Sequence, residues 1–123
     1  MDGENTEVNK MYGLMKIVTL NGGRYIGLPI HIARHVPEAT KYKLALAAEN
    51  QIEMTVIDKS EFKRPSCTTV RNRTTYDDQR WFRIPTAITR TLNDDLYAVG
   101  KQMLVRFDPT TMALSLEATG RDA

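Results

Sequence analysis

Cysteine is nearly absent from the 123-residue chain, which carries Cys67 alone. One thiol can neither form an internal disulfide framework nor complete a cysteine-based zinc site. Long apolar runs are missing as well. No stretch approaches the roughly 20 residues that span a bilayer, and the acidic start Asp2–Glu7 is the reverse of a signal peptide's basic one. These absences lead to the expectation of a cytoplasmic protein in a reducing compartment, with no membrane partner. Net charge is also scarce: 17 Lys and Arg against 15 Asp and Glu leave +2, so bulk charge selects no partner. Neither a nucleophile–base set nor a phosphate-cradling glycine loop is present. The expectation is a non-enzymatic protein without cofactor or metal.

What remains is an ordinary globular composition, 41% hydrophobic and 26% charged, with enough chain for one modest core. The charge is unevenly spread. Eight cations (Lys59, Lys63, Arg64, Arg71, Arg73, Arg80, Arg83, Arg90) fall between 59 and 90 against three anions (Glu61, Asp77, Asp78). Residues 91–123 turn acidic, with five anions against three cations. An arginine-weighted centre suits a polyanion, because guanidinium forks match phosphates and guanine edges. The plainer explanation is a solvated, salt-bridged surface.

The most informative pattern is an internal repeat. Arg24-Tyr-Ile-Gly-Leu-Pro29-Ile-His-Ile-Ala-Arg34-His-Val36 returns as Arg80-Trp-Phe-Arg-Ile-Pro85-Thr-Ala-Ile-Thr-Arg90-Thr-Leu92, at a constant offset of 56. Each copy leads on to a hairpin pattern. Leu44–Ala48 and Ile52–Val56 flank the polar Glu49-Asn50-Gln51, and Met103–Phe107 and Met112–Leu116 flank Asp108–Thr111. The hairpins match at an offset of 60, so the second copy holds four extra residues around Asn93-Asp94-Asp95. Such insertions belong in loops.

Ahead of each arginine–proline segment lies another strand. Lys16–Leu20 runs into Asn21-Gly22-Gly23, a turn that permits positive φ, and Thr68–Thr75 runs into Tyr76–Gln79. Pro29 and Pro85 suit the first turn of a short helix. Ile32, Ala33 and Val36 then form a buried face in the first copy, and Ala87, Ile88 and Leu92 in the second, leaving Arg34 and Arg90 to point outward. Each copy reads as strand, turn, strand, short helix, hairpin. The expected organisation is a flexible 1–13, repeat 14–57, linker 58–67, repeat 68–117 and a flexible 118–123.

Lys16-Ile-Val-Thr-Leu-Asn-Gly-Gly-Arg-Tyr-Ile-Gly-Leu-Pro-Ile-His-Ile-Ala-Arg34 resembles the AbrB/SpoVT family, the swapped-hairpin DNA-binding fold. The second copy keeps the second strand, proline and helix, with Gln79-Arg80 at the turn in place of Gly-Arg. The related MraZ group also carries tandem copies, but its Asp-x-x-x-Arg signature is absent: Ile30 and Thr86 stand four residues before Arg34 and Arg90. A unit of this length cannot build its own core. The resemblance therefore implies two tandem swapped-hairpin halves completing each other as a small, mainly β, pseudo-dimeric barrel with short helices.

The resemblance further implies a sequence-preferring regulator of double-stranded DNA, a repressor in the simplest case, that dimerises further. DNA contact would fall to Lys16, Arg24 and Arg34 in the first copy, and to Arg71, Arg73, Arg80, Arg83 and Arg90 in the second. The alternative is a non-catalytic protein-binding adaptor, or an antitoxin-like module, on the same fold. The histidines His31 and His35 stand at i, i+4 without a third ligand and read as surface groups. Trp81 and Tyr25 could stack on bases, though partial burial against the barrel suits their apolar neighbours. The methionines read as core filler, Cys67 as an incidental linker thiol, and Asp77-Asp78 as turn residues.

Overall fold

The computed structural model describes residues 11–63, 65–73, 79–89 and 94–123. Among the described residues nine strands form one antiparallel, barrel-like sheet that almost closes, with a few single-turn helices between them. The strands are β1 (Met11–Leu20), β2 (Gly23–Gly27), β3 (Lys41–Ala48), β4 (Gln51–Val56), β5 (Cys67–Thr69), β6 (Arg71–Asn72), β7 (Arg80–Arg83), β8 (Lys101–Phe107) and β9 (Leu114–Asp122). Their order is β5-β3-β4-β9-β8-β1-β2-β7-β6. Only Val70 separates β5 from β6 in the chain, so the two ends of that order meet in one extended segment. Among the described residues no helix is long and apolar enough to cross a membrane.

Local chemistry explains the first hairpin. Asn21 and Gly22 take φ of 50° and 80°, the two positive angles that a two-residue turn needs to match strand twist. Leu20 therefore pairs with Gly23, and the register runs back to Ile17 opposite Ile26. Beyond that point β1 changes partner: Met11–Lys16 pair with β8. The β5–β6 segment does the same, with β5 on β3 and β6 on β7.

The β2–β7 ladder is centred on one pair at the offset of 56 found in the sequence. Ile26 faces its own counterpart Phe82, flanked by Tyr25 opposite Arg83 and Gly27 opposite Trp81. Two reciprocal hydrogen bonds close the ladder, Leu28 N–H to the Arg80 carbonyl at 2.9 Å and Ile84 N–H to the Arg24 carbonyl at 2.8 Å. On the far side β4 pairs with β9, Met54 opposite Leu114. Inward-facing Ile17, Ile26, Leu44, Ile52, Met54, Phe82, Met103, Val105, Phe107, Leu114 and Leu116 fill the barrel. Ile32, Ala33 and Val36 plug it from the first helical turn, as their spacing implies.

Several expected boundaries move. The expected flexible end at 118–123 is strand as far as Asp122, with Ala118 buried and Lys101 paired to Asp122 at 3.0 Å. Its apolar alternation fades at Ala118-Thr119-Gly120, and a register shift between Lys101 and Met103 hides the pairing from pattern reading. Met112 lies in the turn at φ 63°, not in the strand, because Asp108 and Thr111 bond the loop backbone locally. Met11–Gly13, expected in the flexible start, pair with β8, and Cys67, expected in the linker, is buried in β5. Pro29 stands at the N-cap of the Ile30–Ala33 turn instead of inside it, and Pro85 immediately precedes Thr86–Thr89. Ala87, at the position that the exposed His31 holds in the first turn, is exposed, while Ile88, at the position of Ile32, packs on the core. Leu92 lies outside the described residues.

Two buried tyrosines tie the hairpin turns down. Tyr42 donates to the Met112 carbonyl at 2.8 Å, and Tyr97 to the Glu49 carbonyl at 3.1 Å. Burial raises both phenols; Tyr97 is pushed from 10 up to about 12, with the Glu49 carboxylate adding to the effect of burial. Between those values the unfolded chain holds fewer protons than the native one, so stability falls as pH rises. The contribution is complete below pH 10 and is lost as pH climbs through about 12. Urea midpoints across that interval should therefore fall, and fall less steeply in Tyr97→Phe. An identical decline in both proteins would contradict this assignment.

Candidate nucleic-acid interface

Residues opposite one another on antiparallel strands project to the same face. Because Ile26 and Phe82 face inward, Tyr25, Arg83, Gly27 and Trp81 face outward. The next strand adds Arg71, directly opposite Trp81. The Tyr25 and Trp81 rings lie 4.7 Å apart, inclined at 35°, and the Arg73 guanidinium sits 5.6 Å from the Trp81 ring centre. Arg83 lies across Gly23, where an added Cβ would come within 2.6 Å of Nε. Its Nη2 donates to Thr86 Oγ1 at 3.4 Å.

Across the β5–β6 segment, Lys41 donates to Thr69 Oγ1 at 3.2 Å and lies 4.9 Å from the Phe62 ring centre. Between that pair and Trp81 the surface sinks into an open cleft of about 600 Å³, with Arg71, Arg83 and Thr86 on its walls. A smaller hollow of about 280 Å³ begins at Arg73 and runs along Gly27–Ile30. Among the described residues, Lys41, Arg71, Arg73 and Arg83 have no carboxylate partner. The Lys101–Asp122 and Arg106–Glu117 ion pairs lie on β8 and β9. The nearby Glu38 carboxylate accepts the Asn72 N–H at 3.2 Å. Four cations around two half-exposed aromatic rings can hold phosphates and offer a stacking surface.

The other candidate residues are placed differently. Arg24 and Arg80 share strand parity with the buried Ile26 and Phe82, so they turn inward and are half-buried. Arg24 Nη1 donates to the Tyr97 carbonyl and Arg80 Nε to the Val36 carbonyl, each at 3.2 Å. Each arginine thus braces a helical segment belonging to the other copy. Arg80 Nη1 and its cross-strand neighbour Asn72 Oδ1 are buried without a partner. Lys16 is exposed on β1 opposite Gln102, outside the cleft, and Arg34 is exposed beyond the first helical turn. Arg90 lies outside the described residues, as do Asp77 and Asp78.

Lys41 and Phe62 did not emerge from the sequence as site residues. Alternation beside the buried Tyr42 marks Lys41 as outward, but its place near Trp81 depends on the pairing of β3 with β5. Phe62 comes from the segment read as linker. His31 and His35 serve separate contacts: Nε2 of His31 meets the Tyr12 carbonyl at 3.0 Å, and His35 stacks on Phe107 with ring centres 6.0 Å apart. Among the described residues, no three metal-ligating side chains are grouped. No protein-family model, curated protein or solved structure matches the chain.

Proposed function

We propose that the protein is a cytoplasmic regulator that binds double-stranded DNA through the outer face of β2, β5, β6 and β7, with repression by occupancy as its simplest consequence. The observation that carries this reading is the convergence of Lys41, Arg71, Arg73 and Arg83 around Tyr25 and Trp81, with no carboxylate partner among the described residues. Phosphate contacts from such cations supply affinity, and the arginine forks that reach base edges supply preference. Arg24 and Arg80 hold the scaffold in this reading, and Lys16 and Arg34 are peripheral.

The pairing pattern supports a barrel of two interleaved AbrB/SpoVT-like halves. β1 of the first copy pairs with β8 of the second, and β5 of the second with β3 of the first. The like strands β2 with β7 and β4 with β9 meet across the centre. One surface favours a second reading, a protein-binding adaptor or a face for a second copy of the chain: Tyr12, Leu14 and Ile30 are large, apolar and exposed.

Fluorescence anisotropy on a mixed-sequence duplex at several salt concentrations separates the two. Four phosphate contacts predict a log–log salt slope of about −3 to −4. Absence of binding at low salt would overturn the DNA reading and leave the adaptor.

A further inference from the structure

Trp81 is the chain's sole tryptophan, and it sits half-exposed on the barrel exterior beside the fully buried Phe82. Its surroundings are specific. Gly27 opposite it on β2 carries no side chain to cover its flank, Arg71 opposite it on β6 supplies a cation, and Tyr25 extends the aromatic surface. Beside this wall lies the cleft of about 600 Å³, a volume within the range of small-molecule pockets. Charged and flat groups alternate along it, with Lys41, Arg71 and Arg83 set among the rings and the hydroxyls of Thr69 and Thr86 between them.

A closed duplex presents phosphates and base edges, while its base faces are hidden in the stack. A recessed aromatic wall flanked by cations fits a different object: one splayed nucleotide, its base lying on a ring and its phosphate on a guanidinium. Resting on the nucleic-acid reading of this same face, we infer that the cleft receives one unpaired nucleotide of a DNA strand. The base stacks on Trp81 and the adjoining phosphates lie on Arg71 and Arg83. Locally opened or single-stranded DNA is then bound in preference to closed duplex, since unstacking costs least where the base is already unpaired.

The sole tryptophan is a reporter at the site. The full chain is titrated with an oligothymidylate, a closed duplex, the same duplex carrying one unpaired base, and thymidine monophosphate. Trp81 fluorescence and anisotropy of labelled DNA are both followed. The oligothymidylate and the bulged duplex are expected to quench Trp81 and to bind about tenfold or more tightly than the closed duplex. Trp81→Ala should lose that preference for the unpaired base, and Trp81→Phe, which keeps a ring, should recover most of it. Equal affinity for closed and bulged duplex with unchanged fluorescence would overturn the inference and leave duplex binding standing. Quenching by thymidine monophosphate at the concentration that suffices for the strand would overturn it in favour of a soluble nucleotide. Failure of every DNA to bind would remove the underlying reading with it.

Discussion

Replacing Arg71, Arg73 and Arg83 together by alanine is expected to weaken duplex binding about a hundredfold at low salt, from roughly 1 kcal/mol per lost contact. The log–log salt slope should fall by about three, one for each phosphate contact removed. Arg71, Arg73 and Arg83 are all exposed, and among the described residues none holds a backbone carbonyl in the way that Arg24 and Arg80 do. The triple variant should therefore unfold in urea close to wild type, each exposed substitution costing within about 0.5 kcal/mol. An Arg24→Ala/Arg80→Ala pair should behave in the opposite sense, losing stability first. Undiminished affinity and slope in the triple variant would move the interface off the β2–β7 face.

Phe82→Ala is expected to cost about 3–5 kcal/mol, the range for emptying a buried phenylalanine site. Phe82 is fully buried and faces Ile26 at the point about which the β2–β7 ladder is symmetric. Both partners carry the outward residues of the cleft on either side of them, so a cavity there loosens the face that holds Trp81 and Arg83 as well as the core. Domains of this size are stable by roughly 5–15 kcal/mol, which leaves the variant near its unfolding threshold. Urea unfolding measures the loss, with Leu14→Ala as the control because Leu14 is exposed on β1. A loss for Phe82→Ala no larger than that control would contradict the central place of the β2–β7 pair.

Much of this architecture was legible in the residues. Of the segments repeated at offset 56, the counterparts Ile26 and Phe82 face each other at the centre of the β2–β7 ladder, and Asn21-Gly22 makes the positive-φ turn its composition implies. The inward parity of Arg24 and Arg80 was legible too: each stands two residues before a buried strand residue, so alternation alone turns it toward the barrel. Reading those arginines by their charge obscured it. Other features depended on contacts remote in sequence. Strand β9 reaches Asp122 because β8 is there to pair with it, and Ala118, Thr119 and Gly120 carry little apolar signal of their own. Cys67 is buried because β5 lies on β3. The site has the same origin. Lys41, Arg71 and Trp81 lie on three different strands, and their meeting follows from how β3, β5, β6 and β7 are paired.

The most direct test of the central claim is a two-dimensional NMR titration of the isotopically labelled chain with a mixed-sequence duplex. Binding through the proposed face predicts amide shifts confined to β2, β5, β6, β7 and the start of β3, with the Trp81 indole N–H among the largest. Shifts centred instead on the outer faces of β4 and β9, around Glu53 and Ser115, or on Tyr12 and Leu14, would contradict it.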